Sequence, residues 1–144
     1  MVERKAKTTV KAKEKVVHVA GKRKLSVARA TIKKGKGLVK INSTPINIYQ
    51  PEIARLRIQE PILLTDISGL NIQVNVKGGG WSSQAEAVRL AIAKALVEYT
   101  GSADLRKKYL EYDRHLLVAD TRFKETKKPG THSHARKKRQ LSKR

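Results

Sequence analysis

The 144-residue chain carries 33 Lys and Arg against 12 Asp and Glu, a formal net charge of +21 with a pI near 10.6; so cationic a chain repels itself unless a polyanion neutralises it, which makes nucleic acid the leading partner. Cysteine is absent, which excludes a disulfide framework, a thiolate nucleophile and a cysteine-based zinc site and leaves the cytoplasm as the expected compartment. With 39% apolar residues, no run near the roughly 18 of a membrane span and no apolar signal segment in "MVERKAKTTVKAKEK", the chain suits one modest core and no membrane partner.

The charge gathers at the ends. Residues 1–24 hold nine Lys and Arg against two Glu, and residues 124–144 hold nine against one. This predicts a basic N-terminal extension over 1–15, a folded domain over 16–123 and a basic C-terminal arm over 124–144. The arm ends in "HARKKRQLSKR", which has almost no apolar area to bury, so a polyanion is what would order it.

From Val16, "VVHVAGKRKLSVARATIKKGKGLVKINSTPINIY" is rich in β-branched residues and interrupted at Gly21, at 34–37 and at 43–45, which predicts three short strands joined by turns. In the second, Ala28, Ala30 and Ile32 alternate with Arg29, Thr31 and Lys33, so one face is small and apolar while the other reaches outward with cations. Pro51 suits the first position of a helix over 51–59, and Pro61 predicts its end at Glu60, with an apolar turn at 62–64. "LNIQVNV" then alternates without error and predicts a strand over 70–76.

After Gly78, Gly79 and Gly80 the pattern changes period. Ser83 and Glu86 have the spacing of a capping box, and Ala85, Val88, Ala91, Ile92, Ala95, Leu96 and Tyr99 fall on one helical stripe that Gly101 can stop. Ser102 reads as the N-cap of a further helix over 103–113, while "HLLVAD" (115–120) fits either a strand or an extended lead-in to the arm. A single sheet with helices on one face, of α/β or α+β class, accommodates this order.

Candidate chemistry is sparse. The glycine stretch 78–80 stands between a strand and a helix start, where amides and the helix dipole favour phosphate, but Trp81 and Ser82 replace the Lys and Ser/Thr of a nucleotide-binding loop. No third ligand accompanies His18, His115, His132 or His134, and Asp104, Glu111, Asp113 and Asp120 lie among cations that can pair with them. No nucleophile has a base beside it in the sequence, so the expectation is no enzyme, no cofactor and no metal. Aromatics are only 4%, too few for a sheet that stacks bases, and backbone and shape contacts are expected instead.

Three stretches, "GKRKLSVARATIKKGKGLVKIN" (21–42), "GGGWSSQAEAVRLAIAKAL" (78–96) and "DTRFKETKKPGTHSHARKKRQLSKR" (120–144), resemble in order the universal small-subunit ribosomal protein number nine family. "GKRK" and "EPILL" (60–64) are similar to its archaeal and eukaryotic-cytosolic branch. Leu141 stands where many relatives have an aromatic residue, and "ETKK" (125–128) replaces a more basic run.

The resemblance implies an α+β fold like the second domain of small-subunit ribosomal protein five: a single mixed sheet with helices on one face, a left-handed β-α-β crossover and basic terminal extensions. It also implies a structural role on ribosomal RNA in the head of the small subunit, beside neighbouring head proteins, with the arm reaching the peptidyl-site transfer RNA. On this reading the ribosomal-RNA contacts are Lys22, Arg23 and Lys24; Arg29, Lys33, Lys34 and Lys36; Lys77 with Gly78, Gly79 and Gly80; and, in the arm, Lys124, Lys127, Lys128, Arg136, Lys137, Lys138 and Arg139. Ser142, Lys143 and Arg144 are the expected transfer-RNA contacts. Two other readings stay open on charge and motif alone: a free nucleic-acid-compacting protein, and a nucleotide hydrolase built on the glycine turn.

Overall fold

The computed structural model describes residues 15–136; Lys137, Lys138, Arg139, Ser142, Lys143 and Arg144 lie outside the described residues. In chain order the elements are β1 (Val17–Arg23), β2 (Ser26–Lys34), β3 (Val39–Ile41), β4 (Thr44–Pro45), a 3-10 turn (Ile46–Ile48), α1 (Glu52–Leu63), β5 (Leu70–Lys77), α2 (Trp81–Thr100), α3 (Ala103–Tyr112) and a second 3-10 turn (Arg114–Leu116). The strands form one sheet in the order β1-β2-β5-β3-β4. Its pairs are antiparallel except β3 with β5. A parallel pair needs a crossover, and α1 lies within it, giving the mixed α+β architecture with a β-α-β unit.

One face of the sheet is apolar. Ala28, Ala30 and Ile32 of β2, Ile72, Val74 and Val76 of β5, and Val39 and Ile41 of β3 point into a core completed by α2 and by Ala54 and Ile58 of α1. Helix α2 is buried well beyond one stripe, because Ala93 on its far side meets Tyr109 of α3 and Leu116 in a second cluster. Tyr109 is fully buried, and its hydroxyl donates to the Pro61 carbonyl at 2.8 Å. Ser102 caps α3 by accepting the Leu105 amide at 3.3 Å, and Gly101 takes the left-handed position, φ 66°, that ends α2.

Five local expectations change. Gly21 does not interrupt β1; it pairs with Ala28 inside the strand, and the chain turns at Lys24 and Leu25 between the paired Arg23 and Ser26. A Cβ on Gly21 would lie 2.4 Å from the Ala87 carbonyl and 2.8 Å from the Ala91 amide, so the glycine serves the close approach of α2 to the strand. Pro51 is the cap before α1 rather than its first residue, accepting the Ala54 and Arg55 amides at 3.0 and 3.1 Å. The helix then runs past Pro61, which is buried in its last turn, where few bonds remain to lose and the Tyr109 hydroxyl binds the proline carbonyl.

Helix α2 starts three residues earlier than the capping-box spacing suggested. Gly80 is the cap, and Ser83, in the third helical position, accepts the Gly80 amide at 3.2 Å. Glu86 turns instead toward Arg23 and Arg57. The "HLLVAD" stretch is neither strand nor plain lead-in at its start: Asp113 accepts the His115 amide at 2.8 Å and opens a 3-10 turn.

Gly21→Ala is expected to lower stability by about 3 kcal/mol, the upper end of overpacking costs, because the obstructing atoms are backbone and cannot rotate away. Gly80→Ala, with nothing within 4 Å of the added carbon, is expected to cost less than about 1 kcal/mol. Denaturant titrations of the two variants measure the contrast.

Candidate nucleic-acid interface

The face of the sheet turned away from α2 carries the outward residues of four strands. Strand parity and register arrange them in rows: Lys22, Val27 and Lys77; then Arg29 and Asn75; then Thr31, Gln73 and Lys40; then Lys33 and Asn71. With neighbouring strands about 4.8 Å apart, Lys22 and Lys77 stand about 10 Å from one another across β2. Arg29, Lys33, Lys40, Lys77 and Lys22 are exposed, and the strands contain no acidic residue. The predicted cations Lys22, Arg29, Lys33 and Lys77 thus come together on one surface. Lys40, Gln73 and Asn75 belong to it as well and were missed, since their place depends on a register that one strand's alternation does not reveal.

The 34–37 turn folds over the edge of this face. Asn71 Oδ1 accepts the Lys36 amide at 2.8 Å and the Leu38 amide at 3.2 Å, and the Gly35 amide donates to the Gly69 carbonyl at 2.7 Å. Lys34 and Lys36 are left exposed on a backbone held at several points. At the other end, Gly78 and Gly79 have φ values of 79° and 65° and pack under the hairpin tip: a Cβ on Gly79 would lie 2.2 Å from Ser26 Oγ. The buried Ser26 hydroxyl is 2.8 Å from the Gly78 carbonyl and 3.0 Å from Ser83 Oγ. The glycines therefore join the β1–β2 hairpin to the start of α2, and Lys77 leaves from the adjoining strand end.

Arg23 has the opposite orientation to its strand neighbour Lys22. It points to the α2 side, donates through Nε to Glu86 at 2.7 Å, lies 3.2 Å from Asp120 and donates to the Arg122 carbonyl at 3.2 Å. Arg57 shares Glu86 at 3.2 Å, and Arg89 bridges Glu60 at 2.5 Å and Asp113 at 2.7 Å. The Arg89 contact to Glu60 is close but misaligned, leaving Glu60 Oε2 and Arg89 Nε as buried polar atoms without a hydrogen bond. Together these side chains line a polar cleft of about 360 Å³. Each carboxylate in it is bound by arginine, which gives the cleft the character of a structural ion-pair network.

Where the arm begins, Asp120 accepts both the Arg122 amide, at 2.8 Å, and the Arg122 guanidinium. Those hydrogen bonds hold the Asp120 carboxyl well below the ordinary aspartate range, with Arg23 adding to the effect. Partial burial pushes the Asp113 carboxyl up, but the His115 amide and Arg89 outweigh it and leave it lowered. Lys124, Lys127 and Lys128 are exposed. Arg136 is engaged: its guanidinium donates to Glu125 at 2.6 Å. Thr131 Oγ1, within 2.6 Å of the Lys128 carbonyl and 2.5 Å of the His134 carbonyl, ties the intervening loop.

Among the described residues every ion pair is made by an arginine, and none by Lys22, Lys24, Lys33, Lys34, Lys36 or Lys77. Among the same residues no group of three His, Cys, Asp or Glu could hold a metal and no helix is long and apolar enough to cross a membrane.

A family model described as Ribosomal protein S9/S16 matches residues 21–144. The small ribosomal subunit protein uS9 of Methanococcus maripaludis is 45% identical over 131 residues, covering 89% of this chain and 98% of the relative. The protein of the same description from Methanothrix thermoacetophila is 48% identical over 118 residues, 81% of this chain and 89% of the relative.

Replacing Arg29, Lys33 and Lys77 together with Ala is expected to reduce the salt dependence of RNA binding by about 2–3 in the log–log slope while leaving thermal stability nearly unchanged. Arg23→Ala is expected to do the reverse, lowering the melting temperature with little change of slope. Anisotropy titrations of a structured RNA across a salt series, beside melting curves, compare them. Because the Asp120 carboxyl is depressed, its contribution is full above about pH 4, the ordinary aspartate value, and is lost only as pH falls through its lower folded value. The Arg122 amide resonance in an NMR titration is expected to move well below pH 4, and to stop titrating there in Asp120→Asn.

Proposed function

The chain belongs to the ribosomal protein S9 family, and from that membership we propose that it is a structural, non-enzymatic constituent of the small ribosomal subunit. It binds ribosomal RNA in the subunit head with its open sheet face and the 34–36 turn. Its C-terminal arm follows RNA to the peptidyl-site transfer RNA. The place of action is the ribosome in the cytoplasm, and the partners are ribosomal RNA, transfer RNA and neighbouring small-subunit proteins.

The observation that carries the RNA part of this reading is the acid-free sheet face. Among the described residues its lysines and Arg29 make no ion pair, so contact with phosphate adds charge-assisted hydrogen bonds without breaking any of these. Such contacts position a protein on RNA and carry little sequence information, which suits a component docked at a fixed place in a folded RNA. In the arm, Lys124, Lys127, Lys128, Arg136, Lys137, Lys138 and Arg139 neutralise phosphates. Ser142, Lys143 and Arg144 meet the transfer RNA, an assignment supported by the family resemblance of the chain's ending.

Sucrose-gradient sedimentation of a lysate tests the central claim: persistent one-to-one comigration with small subunits is expected, whereas a free nucleic-acid-compacting protein would spread without fixed stoichiometry. Deleting residues 124–144 is expected to lower the salt slope of RNA binding by about 4–5, for about six phosphate contacts. Removing Lys143 and Arg144 alone is expected to weaken transfer-RNA binding at the peptidyl site while subunit assembly proceeds. An assembly block in that short truncation would overturn the division between anchor and contact.

A further inference from the structure

We propose that the hairpin end of the domain is a stacking subsite for unpaired RNA bases, with Trp81 and Phe123 as the platforms and Lys22, Lys24 and Lys77 on the adjoining phosphates. The inference rests on the ribosomal-RNA reading above and makes it more specific. Leu25 is 78% exposed, Phe123 71% and Trp81 51%, and none of the three belongs to either core cluster. Leaving such side chains in water forgoes roughly 1.5–3 kcal/mol of burial for each large apolar group, so the fold has no use for them where they stand.

The three flank one feature. A Cβ on Gly78 would lie 2.5 Å from the Leu25 carbonyl, which sets the tip of the β1–β2 hairpin beside the turn that leads into Trp81. On the other side, the contacts of Arg23 with Asp120 and the Arg122 carbonyl hold the 120–123 segment against β1. Phe123 there lines an open groove of about 260 Å³ with Lys22 and Lys24. Asp120, which lines the same groove, and Glu86 of α2 are both bound by arginines, so their charge is offset and the lysines set the field around Phe123.

Flat apolar faces among unpaired lysines match a nucleotide with its base exposed, which offers an aromatic face and a phosphate a few ångströms apart. A duplex keeps its bases stacked on one another and presents phosphates only. An apolar protein surface would cover the rings but bury three lysines without partners, at a desolvation cost that the rings alone do not offset. The low aromatic content therefore misleads: position, not number, makes these two available.

Trp81 is the single tryptophan of the chain, so intrinsic fluorescence reports on this subsite directly. The full chain is titrated with a short unstructured oligoribonucleotide and with a blunt RNA duplex at equal phosphate concentration. Quenching by the single strand and not by the duplex is expected. Trp81→Ala and Phe123→Ala are each expected to weaken single-strand binding about 5- to 100-fold, with duplex affinity and salt slope unchanged. Trp81→Phe is expected to restore most of the first loss.

Equal quenching by both RNAs, or unchanged single-strand affinity in Trp81→Ala, overturns the subsite. Stronger quenching by an acidic peptide than by RNA also overturns it, in favour of a protein partner. Sedimentation separates this from the parent reading. Comigration of Trp81→Ala with small subunits, together with unchanged single-strand affinity, removes the stacking subsite and leaves the ribosomal assignment in place. Failure of the unmodified chain to comigrate removes the assignment itself.

Discussion

The close seating of α2 on β1 and β2 is the contact on which the other features depend. Gly21 removes the side chain that would strike the Ala87 carbonyl, and Ala28, Ala30, Ala85 and Ala91 keep the layer between helix and sheet thin. At that separation Ser26 and Ser83 come within 3.0 Å, Arg23 spans from the strand to Glu86 on the helix at 2.7 Å, and the same arginine has reach to spare for Asp120. The root of the C-terminal arm is thus fixed by a strand residue that is distant in sequence but adjacent in space. A larger residue at Gly21 would act at a distance, by lifting the helix that carries Glu86 and loosening the site where the arm departs.

With 33 cations and 12 acids, the chain must decide which charges to neutralise internally. It pairs Glu60, Glu86, Asp113 and Asp120 with arginines around one cleft. Arginine suits the task because a planar fork can bridge two carboxylates, as Arg23 and Arg89 do, whereas a lysine is a mobile and strongly hydrated point charge. The lysines are left on the outer sheet face and in the exposed turns, where they remain available to phosphate. Removing acids from the strands therefore has two effects: it keeps the core layer free of charge and leaves the outer face uniformly positive.

Much of the fold was legible because its signals are local. The alternation of "LNIQVNV" gave β5, the Ala28, Ala30 and Ile32 series gave the inward side of β2, and Gly101 with Ser102 marked the junction between α2 and α3. Gly21 and Pro61 were misread because their meaning depends on residues far away in sequence. A strand glycine signals either a break or a close approach, and only the position of α2 decides; a proline in the last turn of a helix forgoes one bond, and whether the carbonyls left open at that end find partners, as that of Pro61 does in Tyr109, depends on residues elsewhere in the chain. The candidate interface was half legible for the same reason. Lys22, Arg23 and Lys24 look alike in the motif, yet extending the inward series Val17, Val19 and Gly21 by one step would have turned Arg23 away from its neighbours. The rows that join Lys77, Lys40 and Asn75 to Arg29 required the inter-strand register, which no single segment contains.

The arm is also less uniform than its composition implies. Glu125 takes Arg136, and Thr131 closes the loop between them, so the first cation of the terminal basic run is held inside the chain. Both side chains of that pair are exposed, and an ion pair in water is weak enough for a phosphate to displace. Arg136 can therefore exchange a carboxylate for a phosphate without a large change in its surroundings, whereas Arg23, enclosed by Glu86 and Asp120, cannot leave without releasing the arm. Two arginines that the resemblance assigns to the same partner thus differ in their surroundings: Arg23 holds the segment where the arm begins, whereas Arg136 is free to exchange its carboxylate for a phosphate.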